Sequence, residues 1–386
     1  MAISKISANM IDGSLTSSLV TGSLPAVDGS ALIGAGAGID TETTSDPLIT
    51  SNPSATGHLW ENKSTGEMFI CTDNTAGFNV WLNVGSGLAL HIAKPFGGLG
   101  GGTVSGYVSG GYGPPGFSLR TTMDKFAFAS NTTASSHGSL TLGGQMPSGT
   151  SSSTHGYKAG GYGHGPGSNE DTLTIEKFAF ATSSASTSHG NLSVARRYGG
   201  GCSSSTQGFS IGGASPVTAI DKYDFSSNTT ASAHGSLAVY LTYAAGQSSN
   251  TDGFASGGHD GAYTNRIEKF SFSSNTTADD HGDLSGGITR GICTGQSSTT
   301  HGFSAGGGEP IVNIIDKFSF ISNVTATDVG DLTLALAYSA GISSTTDGYT
   351  AGGTNVINKF SFASGGNAAS HGNLSAQRNY PAGHQV

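Results

Sequence analysis

Beyond about residue 100, apolar and polar positions alternate in short runs and never form helical stripes. Ile315-Asp-Lys-Phe-Ser-Phe320 shows the pattern: Asp316, Phe318 and Phe320 share one face, and Lys317 points to the other. The same run recurs with Lys-aromatic pairs starting at Lys125, Lys177, Lys222, Lys269, Lys317 and Lys359. Twelve residues after each Lys stands His137, His189, His234, His281, Val329 or His371. A Gly-aromatic pair followed by Gly-Gly precedes each Lys, as in Gly208-Phe209 before Gly212-Gly213.

Fixed offsets in six copies define a repeat. Each unit reads as four short strands. The first follows the Leu after His-Gly, as in Leu192-Ser-Val-Ala-Arg196. The second is Gly-Phe-x-x-Gly-Gly, the third the Lys-aromatic run, and the fourth the Thr/Ala/Ser-rich run into His-Gly. Four strands per 40–50 residues predict a propeller blade, so the chain is all-β with six blades. The first unit, from about Gly106, lacks an opening strand, while 374–383 is an opening strand with nothing after it. The C-terminal strand is therefore expected to complete the first blade, because an unpaired edge invites aggregation.

Gly-Gly after an apolar strand, then an aromatic strand, then Leu and Arg opening the next unit, resembles the kelch family over roughly 100–386. The resemblance implies a kelch-like β-propeller. One departure is plain: kelch repeats usually carry Trp where this chain has the repeated His, and no Trp follows Trp81. Packing between blades is then expected to rest on paired rings such as Phe318 and Phe320.

The N-terminal part differs. Residues 1–50 alternate small and polar residues with isolated Ile, Leu and Val, leaving no core. Lys5-Ile6 and Leu24-Pro-Ala-Val-Asp-Gly-Ser-Ala-Leu32, with the Gly-rich 34–38, resemble segments of tail-fibre and other virion proteins of tailed marine phages. That resemblance implies an extended attachment segment that docks on other virion proteins and forms a homo-oligomer, with a trimer favoured. Residues 51–96 hold both tryptophans and read as a small β module, with a hairpin over His58–Ile70 and a strand at Val80–Val84. The propeller is assigned to 97–386.

Composition narrows the chemistry. Gly is 62 of 386 residues, about twice the roughly 7% average, which suits tight turns. Net charge is −9 with only 16 Lys and Arg and no basic stripe, so no nucleic-acid partner is expected. No apolar run reaches the roughly 20 residues of a membrane span, and the N-terminus has no signal core. The expected location is a virion, assembled in a host cytoplasm and exposed on the particle. Cys71, Cys202 and Cys293 lack metal spacing and read as buried small hydrophobes.

The repeated histidines sit one per blade and read as packing groups, not as a metal site. The acidic residues before each Lys (Asp124, Glu176, Asp221, Glu268, Asp316) are periodic, which suits structural ion pairs better than catalysis. No cofactor, metal or catalytic group is expected. Length varies most between Gly-Gly and Lys, so these loops mark the candidate binding face. They carry Tyr112 and Phe117; Tyr162, His164, Glu170 and Asp171; and His259, Asp260 and Tyr263. Aromatic planes beside carboxylates suit a host-surface glycan or receptor. A glycan-degrading enzyme and a decoration protein of the head surface are the alternatives.

Overall fold

The computed structural model describes residues 39–48, 50–64, 67–77, 79–86, 102–114, 116–163, 170–214 and 217–386. The virion-like segment at 1–38 lies outside the described residues. The chain divides into two units, Met1–Ala93 and Lys94–Val386.

In the first unit a four-stranded sheet forms from Thr41–Thr43, Leu59–Asn62, Glu67–Asp73 and Val80–Ser86. The second and third pairings are the expected hairpin and strand, and both are antiparallel. Thr41–Thr43 adds a parallel edge, so the module reaches back before residue 51. Trp60 and Trp81 meet edge-on at 5.6 Å, and their indole N–H groups donate to Ser45 O and Leu48 O.

The second unit is propeller-like. Its described residues hold six four-stranded antiparallel sheets, each with strands in sequence order except the first. There, Ala382–Gln385 pairs with Ser105–Ser109, followed by Thr122–Ala127 and Ser135–Ser139. The remaining sheets open with Ser148–Ser151, Gly200–Ser203, Ala245–Ser248, Thr294–Ser297 and Ser339–Ser343.

These opening strands correct the sequence-based assignment. Leu192–Arg196 is not a strand but the loop joining the second and third sheets, and the strand begins four residues later at Gly200. Likewise the C-terminal strand is Ala382–Gln385, with 374–381 forming loop and bridge. The reason is crowding. The six opening strands pack against one another in a cycle, and each contributes a glycine: Gly149, Gly201, Gly246, Gly295, Gly341 and Gly383. A Cβ on any of these would fall 2.6 Å or less from the carbonyl oxygen of the glycine on the neighbouring sheet. Gly383 meets Gly341 on one side, and Gly149 meets Gly383 on the other. Two residues further on, a second cycle runs through backbone N–H groups. Ser151 donates to Ser203 Oγ, Ser203 to Ser248 Oγ, Ser248 to Ser297 Oγ and Ser297 to Ser343 Oγ. Ser343 then donates to Gln385 Oε1, and Gln385 to Ser151 Oγ.

Between sheets, aromatic rings stack. Tyr107 stacks on Phe180 at 4.6 Å, Tyr157 on Phe225 at 4.6 Å and Phe209 on Phe272 at 4.7 Å. The series continues with Phe254 on Phe320, Phe303 on Phe362 and Tyr349 on Phe128. Offset aromatic pairs of this kind add about 0.5–1.5 kcal/mol beyond area burial. The repeated histidines satisfy hydrogen bonds across the same junctions. Nε2 of His137, His189, His234, His281 and His371 bonds to carbonyls of Ala179, Asp224, Ser271, Ser319 and Ala127.

The acidic repeat positions are clamps. Each is buried, and each accepts a backbone N–H from the loop that leads into its own sheet. Asp124 accepts from Ser375, Asp221 from Ser193 and Asp316 from Ser285. The same loops supply buried Arg378 at 3.0 Å, Arg196 at 3.0 Å and Arg290 at 2.6 Å to these carboxylates. Where the loop has no arginine, the sheet compensates. Glu176 pairs with Lys158 of the adjacent strand, and Gly144 of that loop leaves room for the Lys158 ammonium. In the sixth sheet Leu336 stands in for the arginine, and the acid is the neutral Asn358, which still accepts from Thr333 N–H. Pairing charge with charge, and neutral with neutral, avoids a lone buried ion, whose cost is about 3–5 kcal/mol.

One buried base gives a pH dependence. His384 lies between the first and second sheets, with Nδ1–H donating to Thr150 O at 3.0 Å and Nε2 facing Ser109 Oγ at 2.8 Å. Burial pushes it down to about 4, against 6.5 for the free side chain. Between those values the unfolded chain binds a proton that the folded chain refuses. Stability present above pH 6.5 is therefore lost as pH falls towards 4, by up to about 3 kcal/mol. His384→Gln should keep the fold, since Gln247 and Gln296 occupy the same place in other sheets. Urea melts at pH 7 and pH 4.5 should show a smaller acid loss in this variant than in the parent chain. An equal loss in both would assign the dependence to other groups.

Candidate functional site

Three residues before each of these six glycines, the chain makes a tight left-handed bend. The residues there are Met146, Tyr198, Tyr243, Ile292, Tyr338 and Tyr380, and none is glycine. Their φ values are 64°, 63°, 61°, 60°, 63° and 55°. Left-handed backbone costs roughly 1–2 kcal/mol for an L-residue. Six such residues at equivalent places point to a constraint beyond folding, because strained backbone gathers at ligand sites.

The bends are tied to one another. Met146 N–H donates to Tyr380 O, Tyr198 to Met146 O, Tyr243 to Tyr198 O, Ile292 to Tyr243 O and Tyr380 to Tyr338 O, all at 2.7–2.9 Å. Their side chains line a pocket of about 90 Å³, floored by Pro147, Ala244, Cys293 and Pro381. The tyrosines pair. Tyr198 and Tyr243 have centroids 3.9 Å apart, and Tyr338 and Tyr380 are 4.7 Å apart. Tyr198 and Tyr380 approach to 6.1 Å around Met146. Among the described residues no ring contact joins Tyr243 to Tyr338; Ile292 stands between them in the series, and Tyr263, against Gly291, lies near both phenols. Burial, then the neighbouring phenols, raise Tyr243 and Tyr380 above the usual tyrosine range. These hydroxyls stay protonated and act as hydrogen-bond partners, not as bases.

The loops singled out from the sequence surround this cup. Tyr112 exchanges backbone hydrogen bonds with Asn379, Tyr162 with Gln145 and His259 with Thr242, each the residue just before a cup residue. Phe117 is 61% exposed, with its ring 5.9 Å from Tyr112. Asp171 holds Arg197 at 2.8 Å, and that guanidinium lies over the Tyr162 and Tyr198 rings at 4.4 and 5.3 Å. His259 meets Tyr263 edge-on at 5.2 Å, beside half-buried Asp260. The Glu170 carbonyl accepts Gly163 N–H, and its side chain is exposed. His164 lies outside the described residues. The four cup tyrosines, with Met146 and Ile292, escaped the sequence analysis. Their signal was the constant offset of three before a glycine that is followed, two residues later, by Ser or Gln.

No family model matches the chain, and no curated protein matches it. Among solved structures, the structure of YjhT, a kelch-type β-propeller, matches with a TM-score of 0.53. It shares 12% identity and covers 71% of this chain and 93% of its own. At that identity the likeness shows the fold alone. No helix among the described residues is long and apolar enough to cross a membrane.

Proposed function

We propose that the chain is a non-enzymatic structural protein of a phage particle, a tail fibre or other appendage, that displays a six-bladed kelch-like propeller for host-surface recognition. The C-terminal strand closes the ring, and the N-terminal segment attaches it to other virion proteins, as a homo-oligomer with a trimer favoured. The observation that carries the recognition role is the tyrosine cup, built from strained residues of all six sheets and rimmed by the aromatic loops. The closure reading is supported by the inter-sheet contacts, each kind of which recurs between the sixth and first sheets. Attachment rests on the resemblance of 5–38 to virion proteins.

The cup suits an exposed glycan or receptor, since ring faces meet apolar patches and phenols meet hydroxyls. Replacing both Tyr243 and Tyr338 by glycine tests this without strain, because glycine favours the left-handed bend. The double variant should keep its circular dichroism spectrum and bind host-surface polysaccharide at least tenfold more weakly on a glycan array. Unchanged binding would remove the cup from recognition. Labelled antibody and electron microscopy should place the chain on intact particles; a soluble monomer absent from every particle would defeat the virion reading.

A further inference from the structure

The cup's lining carries a chemical preference of its own. Its lining contains no charged side chain. The four arginines within two residues of a cup residue are committed elsewhere. Arg197 is held by Asp171 over the Tyr162 and Tyr198 rings. Arg196, Arg290 and Arg378 are fully buried against Asp221, Asp316 and Asp124. On either side of Ile292 in the lining stand Tyr243 and Tyr338, with Tyr263 packed on Gly291. Two carboxylates belong to the surrounding loops: Glu309, exposed and close enough to Tyr263 to oppose its ionisation, and Asp260, three residues from Tyr263.

Aromatic faces and phenolic oxygens, with carboxylates outside and no cation among the lining residues, make an electronegative cup. A neutral group gains contact area and hydrogen bonds to the phenols there, and an anion is repelled. A cation gains attraction to the ring quadrupoles, strengthened by partial desolvation. We infer that the group seated in the cup is a small organic cation, a primary or methylated ammonium at the exposed end of the ligand. The inference rests on the recognition reading above and names the chemistry that the site selects.

Calorimetric titration of the full chain with tetramethylammonium chloride and with neopentyl alcohol, its uncharged near-isostere, tests it. Tetramethylammonium should bind at least tenfold more tightly. The preference should survive the Tyr243→Phe, Tyr338→Phe pair, which keeps the rings, and vanish in the Tyr243→Leu, Tyr338→Leu pair. Glu309→Gln should weaken the cation alone, a few-fold. Equal binding of the two probes, or binding of neither, overturns the inference. If glycan-array capture persists alongside such a result, the recognition reading stands and only the cation falls.

Discussion

Removing residues 382–386 should abolish the cooperative melting of the second unit and drive the chain to aggregate. The five residues supply a whole strand of the first sheet, antiparallel to Ser105–Ser109. Without them Tyr107 and Val108, both fully buried, lose their cover, and the strand presents unpaired N–H and C=O groups. The loss spreads further. Gly383 is the contact between Gly341 and Gly149, Gln385 closes the serine cycle, and Val386 O accepts N–H groups from Val104 and Ser105. The expected destabilisation is comparable with the whole stability of a domain, about 5–15 kcal/mol. Differential scanning calorimetry and size exclusion read the outcome. A synthetic peptide spanning 379–386 should restore the transition when added in excess. A permuted chain joining Val386 directly to Thr103 should melt normally, since the two ends already lie side by side. A truncated chain that melts like the parent would show that the strand is dispensable.

The sequence made the scaffold legible where the repeat chemistry is local. The Ile-Asp-Lys-Phe alternation marks the third strand of each sheet, and Gly-aromatic-x-x-Gly-Gly marks the second, because both fill a two-sided sheet with period two. The opening strands were misplaced because their residues answer to a different demand. Gly, Ser, Ala and Thr have neither alternation nor strong strand propensity, and they are selected by the close approach of six backbones. The neighbouring Leu-x-x-x-Arg segments look more strand-like, yet Leu192 plugs a gap between sheets and Arg196 neutralises buried Asp221. Both jobs are tertiary and leave no periodic mark.

The site was legible by face but not by centre. Unequal loop lengths pointed to the end of the molecule where Tyr112, Tyr162, His259 and Tyr263 gather. Tyr198, Tyr243, Tyr338 and Tyr380 belong to short connections of constant length, where no variation drew attention. Tyr198 and Tyr380 approach one another only because the last strand returns to the first sheet. That convergence depends on the arrangement of all six sheets, which no single repeat displays.

Gly246→Ala should cost about 3 kcal/mol or more, a large effect for one added methyl group. The backbone at Gly246 is not in the left-handed region, so alanine pays no conformational strain there. The cost is steric. The new Cβ would lie no more than 2.8 Å from the carbonyl oxygen, carbonyl carbon and nitrogen of Gly201, none of which can rotate away. Gly246 would have to retreat towards Gly295, whose own position already brings it against the Gly246 carbonyl. Relief at one junction therefore tightens the next, and the strain passes round the cycle instead of dissipating in solvent. Gly287→Ala separates this from ordinary glycine replacement. Gly287 is left-handed at φ 64° but has nothing within 4 Å of its added Cβ, so only conformational strain, about 1–2 kcal/mol, applies. Guanidinium melts of the two variants should differ in midpoint, with Gly246→Ala markedly lower and with the looser slope of a disturbed core. Equal midpoints would mean that the strands at the centre have room to part, and that glycine is conserved across the six sheets of this chain for a reason other than close packing.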